Sequence, residues 1–115
     1  MEPTKTRWGY WQELLVEEGF RVKKLVINSE KHISLQYHNH RAECWSIVSG
    51  SGELKMIEDG AEYMMFVTEL DVVTIHRGCI HKVTCVSEEP LVIIETQVGH
   101  ICTEEDIVRL ESIEE

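Results

Sequence analysis

The segment Gln36-Tyr37-His38-Asn39-His40-Arg41-Ala42-Glu43 sets two imidazoles two residues apart and a carboxylate shortly after them. A β-strand sends alternate side chains to one face, so Gln36, His38 and His40 are expected to project together, with a turn bringing Glu43 round to join them. Imidazole nitrogen and carboxylate oxygen are the donors that borderline divalent metals take. A fourth donor has to come from elsewhere, and His81, within His76-Arg77-Gly78-Cys79-Ile80-His81, is the best placed. The expected metal ligands are therefore His38, His40, Glu43 and His81, with Cys44 a soft alternative to its neighbour Glu43. Zinc is the leading expectation; manganese, iron and nickel suit the same donors. The competing reading is a polar strand face that carries histidines and no metal.

Such a cluster needs strands to hold it, and the chain supplies them. Arg7-Trp8-Gly9-Tyr10-Trp11 reads as a short strand whose indoles cap a core, or as a segment approaching a ligand at the mouth of the fold. Phe20 to Ile27 reads as a strand whose apolar face changes at Lys23-Lys24, which predicts a bulge or a bend. From His32 to His40 the alternation is strict, with Ile33, Leu35 and Tyr37 opposite the polar set. If the polar set lines a barrel, those three point outward and need cover, so a homodimer is expected. Gly50-Ser51-Gly52 and Glu58-Asp59-Gly60 read as hairpin turns. Met64, Met65 and Phe66 read as core filler. Leu91 to Val98 carries Glu95 and Gln97 on one face, and these must be paired structurally or face a site. Thr103-Glu104-Glu105-Asp106 reads as a helix start with Thr103 as N-cap, followed by Ile107, Val108, Leu110 and Ile113 as its apolar side. Some eight short strands between turns, followed by one short helix, predict an all-β jelly-roll barrel or sandwich with a C-terminal helix.

Composition sets limits. With 115 residues, 43% of them apolar, residues 1–115 are expected to form one globular domain. The net charge of −10, concentrated toward Glu111-Ser112-Ile113-Glu114-Glu115, argues against nucleic acid as a partner. The apolar runs are too short for a membrane-spanning helix. The opening Met1-Glu2-Pro3-Thr4-Lys5 has no signal-peptide core, so a cytoplasmic location is expected. Cys44, Cys79, Cys85 and Cys102 form no C-x-x-C pair and are expected to be reduced.

His38-x-His40-x2-Glu43-x6-Gly50 with Gly78-x2-His81 resembles the two-part signature of the cupins, small β-barrels that hold a divalent metal. Further blocks span most of the chain. They are Arg7-Trp8-Gly9, Ser34-Leu35-Gln36-x-His38-x-His40-Arg41-Ala42-Glu43-x-Trp45, Val48-Ser49-Gly50, Ile94-Glu95-x-Gln97-Val98-Gly99 and Glu105-Asp106-Ile107-Val108-Arg109. They look like the type II mannose-6-phosphate isomerase family, in bacteria commonly the C-terminal part of a bifunctional enzyme with a guanylyltransferase. The chain departs from that family at Cys44, commonly a histidine, and in its closing Ser112-Ile113-Glu114-Glu115. The resemblance implies a cupin barrel that isomerises mannose 6-phosphate and fructose 6-phosphate, or a non-catalytic binding module for such a sugar phosphate. It implies Glu95 as the base and Arg109 as a second catalytic residue. Gln36 and Gln97 would contact the sugar, and Arg7, Arg41 and Arg109 are the candidates for its phosphate.

Overall fold

The structure is a computed structural model that describes residues 1–100, 102 and 104–110. The alternating segments become strands. They are β1 (Thr4–Lys5), β2 (Gly9–Glu17), β3 (Phe20–Ile27), β4 (Gln36–His38), β5 (Arg41–Ser49), β6 (Ser51–Glu58), β7 (Ala61–Thr68), β8 (Val72–Ile75), β9 (Ile80–Cys85), β10 (Leu91–Gly99) and β11 (Ile107–Arg109). They form two antiparallel sheets in the orders β1-β2-β3-β10-β5-β8 and β11-β4-β9-β6-β7. The sheets pack face to face as a jelly roll, so inward residues of both make one core.

The inward set follows strand parity. On β3 it is Lys23, Leu25 and Ile27, on β5 Arg41, Glu43, Trp45 and Ile47, and on β10 Leu91, Ile93, Glu95 and Gln97. The register lines these up as layers across the sheet. Leu25, Ile93 and Ile47 share one layer, Lys23, Glu95 and Trp45 the next, and Gln97 and Glu43 the one after. One end of the barrel is thus closed by aliphatic side chains, among them Ile27, Leu54, Val83 and Leu91, all without exposure. The other end is lined with polar groups.

Three expectations need correction. The bulge lies on β2 between Glu13 and Leu15, opposite Lys23, whereas β3 itself keeps phase and turns Lys23 inward. Met64, Met65 and Phe66 are exposed, at 53%, 39% and 65%, because β7 is the edge of its sheet and only Val67 reaches the core. After Cys102 the chain makes a single 3-10 turn, Glu104–Asp106, and then pairs as β11 with β4, with Ile107 opposite His38. Backbone pairing along β4 outweighs the helical pattern there. The proposed cap Thr103, and Ile113, lie outside the described residues. Of the apolar set opposite His38, Ile33 is buried and Leu35 and Tyr37 are half-buried within the single chain.

Gly50 joins β5 to β6 with a φ of 79°, and an added Cβ there would run into the Pro90 carbonyl. Gly50→Ala combines an unfavourable backbone conformation with a backbone clash, and it should destabilise the fold by about 2–4 kcal/mol. Urea denaturation measures this, and a loss below about 0.5 kcal/mol would contradict the packing of Gly50 on Pro90.

Candidate metal centre

The polar end of the barrel is built around Glu43, 2% exposed. Its Oε2 accepts from Arg41 Nε at 3.0 Å and lies 2.9 Å from Arg41 Nη2. His38 Nε2 stands 3.1 Å from the same oxygen, and His81 Nε2 is 3.8 Å from Oε1. Trp45 Nε1, the single donor of its indole, is shared between Glu43 Oε1 at 3.1 Å and Glu95 Oε2 at 3.0 Å. Gln97 donates to the other Glu95 oxygen at 2.6 Å. Two carboxylates this close cannot both carry charge in a buried site. Burial first, and the Glu43 carboxylate second, push Glu95 up to about 8 from 4.5, so it holds its proton at neutral pH.

The histidines are kept neutral. Burial, followed by the Arg41 charge, lowers His38 from 6.5 to about 2, and burial also lowers His81. The Cys79 carbonyl, which can only accept, lies 3.0 Å from His81 Nδ1. That contact places the proton on Nδ1 and turns a lone pair on Nε2 inward, as for a metal-binding imidazole. Donor atoms of His38, Glu43 and His81 lie within 4.8 Å of one another. Two neutral imidazoles and a carboxylate fit a borderline divalent ion. Arg41 Nη2, also 3.4 Å from His38 Nε2, competes with an ion for two of the three donors.

His40 is not brought into this group. β4 ends at His38, and the chain bends at Asn39 and His40, whose backbone N–H groups donate to the Asp106 carboxylate at 3.2 and 3.0 Å. The bend turns the His40 ring outward against His100, at 5.1 Å between centroids. The inward pair on β4 is instead Gln36 and His38, and Gln36 sits opposite His81 in the register. The assumption that failed was a strand continuing through His40. Asp106, whose carboxylate fixes the bend, carried no sequence signal beyond an acid in a helix-like start.

The cluster opens into a cavity of about 50 Å³, lined by Gln36, Arg41, Glu95, Gln97 and Arg109 among others. Arg109 is exposed at its rim, while Arg7 stands exposed outside the lining. Cys44 is half-buried and outside the lining, because its neighbour Glu43 holds the inward position. Sequence reasoning missed Lys23, 3% exposed, whose Nζ lies 4.1 Å from the Trp11 ring centroid. Its parity with Leu25 and Ile27 was the available signal. Among the described residues, the buried side-chain polar atoms without a partner are Trp8 Nε1, His38 Nδ1 and Gln97 Oε1, and all three residues line this cavity.

A profile of the family described as "Mannose-6-phosphate isomerase C-terminal" matches residues 3–112. The chain belongs to that family. Curated relatives include the xanthan biosynthesis protein XanB of Xanthomonas campestris pv. campestris, 35% identical over 90% of this chain. The alginate biosynthesis protein AlgA of Pseudomonas aeruginosa is 33% identical over 92%, and a mannose-1-phosphate guanylyltransferase of Sinorhizobium fredii is 32% identical over 96%. In each case the match covers 21% of the relative, so the chain spans about a fifth of their length. Among solved structures, an oxalate decarboxylase from Bacillus subtilis superposes with a TM-score of 0.87 at 18% identity, over 95% of this chain and 30% of that one. This likeness establishes the cupin fold for this member of the mannose-6-phosphate isomerase C-terminal family.

Two measurements test the centre. In equilibrium dialysis with zinc, His38→Ala and His81→Ala should each weaken binding by roughly 100-fold or more, and His40→Ala by less than about threefold. Equal losses from all three would restore His40 as a ligand. The second concerns pH. Because the fold raises Glu95, its stabilisation of the metal-free protein is complete below pH 4.5 and is lost as pH rises toward 8. Urea denaturation should show wild type losing stability relative to Glu95→Gln across that window and no further above it. A pH-independent difference would refute the buried proton.

Proposed function

We propose that this domain carries out the aldose–ketose isomerisation of mannose 6-phosphate and fructose 6-phosphate, with a bound divalent ion. The observation that carries the reading is the convergence of Glu95 with the His38, Glu43 and His81 donors in one buried cavity. The family match over residues 3–112 supports the substrate class.

His38, Glu43 and His81 would hold the ion, with the Gln36 side chain beside His81 as a further oxygen donor. When bound, the ion supplies polarisation of the sugar's carbonyl and neighbouring hydroxyl oxygens. Glu95 is the base: ionised, it takes the proton from C2 of the open-chain aldose and returns it to C1, and the hydroxyl proton moves between the two oxygens. Trp45 Nε1 and Gln97 Nε2, at 3.0 and 2.6 Å, hold one carboxylate oxygen each and so fix its direction. Gln97 Oε1 and the Trp8 N–H offer an acceptor and a donor to sugar hydroxyls. Arg41 orients Glu43, and Arg109 at the rim meets the phosphate. Arg7 lies outside the lining.

Isomerisation is measured by a coupled assay for fructose 6-phosphate formed from mannose 6-phosphate, with and without zinc or manganese. Metal-dependent turnover is expected, and Glu95→Gln should lower kcat by about 10²–10⁴-fold while leaving metal binding intact. Metal and sugar-phosphate binding without turnover would instead identify a binding module.

We also infer a cytoplasmic homodimer. Among the described residues, no helix is long and apolar enough to cross a membrane. β7 is a sheet edge with Tyr63, Met64, Met65 and Phe66 exposed. Antiparallel pairing of two β7 strands about a twofold axis at Met64 sets Tyr63 opposite Met65 and Glu62 opposite Phe66, with no like charges facing. A second copy therefore fits this edge although each chain carries −10. Light scattering at micromolar concentration should give a dimer and Phe66→Glu a monomer. A monomeric wild type would remove the inference.

A further inference from the structure

The cavity beside His38, Glu43 and His81 encloses about 50 Å³. Sites that hold a small organic ligand run to about 300–1,000 Å³. The closed form therefore has room for little more than an ion and water, and a sugar phosphate enters only if one wall moves. Topology says which wall. Among the described residues, the strands that line the cavity are β2, β3, β4, β5, β9, β10 and β11. The first six are each paired on both sides, whereas β11 is a sheet edge joined only to β4. It is also short, three residues in register with His38, Tyr37 and Gln36. Just past it, the Leu110 N–H donates to the Leu35 carbonyl at 2.8 Å. Ile107 and Arg109 are the members of β11 that line the cavity, and Ile107 sits opposite His38. The near end of the strand is fixed by Asp106, which is buried. Its two carboxylate oxygens each accept one backbone N–H, from Asn39 at 3.2 Å and from His40 at 3.0 Å. A carboxylate bonds a backbone N–H more strongly than a neutral acceptor does. Both bonds fall on the bend immediately after His38. A short edge strand tied down in this way opens locally at far lower cost than a strand paired on both sides.

We propose that β11 is a strap over the metal centre, latched by Asp106, and that lifting it admits the substrate to His38, Glu43 and His81. The size argument rests on the sugar-phosphate reading above, but the opening itself is measured without any ligand. Amide hydrogen exchange on the metal-free wild type reads it directly. The Leu110, Asn39 and His40 amides should exchange at least about 100-fold faster than those pairing β10 with β5, through an opening that leaves the barrel folded. Asp106→Asn, which removes one of the two acceptor oxygens, should speed the Leu110 amide by about a further tenfold and leave the β10 amides unchanged. Exchange of Leu110 as slow as that of the β10 amides overturns the strap, and this wild-type comparison decides even if the variant does not fold. Equal acceleration of both sets in Asp106→Asn overturns the latch. Entry is tested with a covalent lock. Val108 lies opposite Tyr37 in the register, so Tyr37→Cys/Val108→Cys can be closed by a mild oxidant and reopened by a phosphine reductant, with peptide mapping to confirm the bond. In calorimetric titration of the zinc-loaded protein, the oxidised form should bind mannose 6-phosphate at least about tenfold more weakly than the reduced form or the wild type. Unchanged affinity in the oxidised form overturns the entry route. A wild type that shows the expected exchange yet binds no sugar phosphate would uphold the strap and reject the sugar-phosphate reading.

Discussion

A buried carboxylate must be answered by its surroundings, and much of the inner architecture follows from how Glu43 is answered. Removing a carboxylate from water costs several kcal/mol, recovered only with close, well-directed partners. Glu43 has them in Arg41 and Trp45, both buried and both within hydrogen-bonding reach. Its presence then fixes the state of the neighbours. Arg41 cannot leave without stranding the charge. The imidazoles stay neutral first because they are buried, and then because the Arg41 charge stands beside them. Glu95, sharing one indole N–H with Glu43, keeps its proton first because burial disfavours its charge and then because a second negative charge would stand beside Glu43. Burial, together with the Glu43–Arg41 pair, thus sets the proton inventory of the cluster.

The barrel makes this affordable by separating its two ends. Along β10 the inward residues run Leu91, Ile93, Glu95, Gln97, and along β5, in the reverse direction, Ile47, Trp45, Glu43, Arg41. Antiparallel register superimposes the two gradients, so aliphatic layers meet aliphatic layers and polar layers meet polar ones. A slip of one residue would send every one of these groups to the opposite face. Aliphatic burial at one end therefore holds the register that lets the polar groups at the other end find each other.

This explains what could be read from the sequence. Strand boundaries such as Phe20–Ile27 followed from alternation and turn residues, and the family blocks pointed to the barrel. Alternation also put Glu95 and Gln97 on one face, where the structure has them. It failed at His40 because the strand stops at His38, and what stops it is Asp106, distant in sequence and bonded to two backbone N–H groups. It failed at β7 because exposure there depends on which strand lies at the sheet edge, a property of topology. The helix-like Glu104-Glu105-Asp106 start lost to pairing between β11 and β4, since local propensity is weaker than a backbone ladder with a partner in place. Lys23 was legible from parity with Leu25 and Ile27, and was obscured by an assumed bulge on its own strand when the bulge lies on β2.

The unpartnered atoms give the last step. Burying a donor or acceptor without a hydrogen bond costs about 1–3 kcal/mol. Trp8 Nε1, His38 Nδ1 and Gln97 Oε1 come from β10 and from the segments around β2 and β4, yet all three residues line the same cavity. A structural explanation would scatter such atoms or pair them with one another. All three belong to residues around one space, beside the fixed Glu43 carboxylate, where a ligand that brings both a donor and an acceptor could meet Trp8 Nε1 and Gln97 Oε1. Each hydroxyl that satisfies an orphaned atom would recover part of an energy the fold has already given up. Preorganisation of this kind raises affinity without enlarging the contact area. On the function proposed above, the hydroxyls of the sugar phosphate are the groups that would meet these atoms.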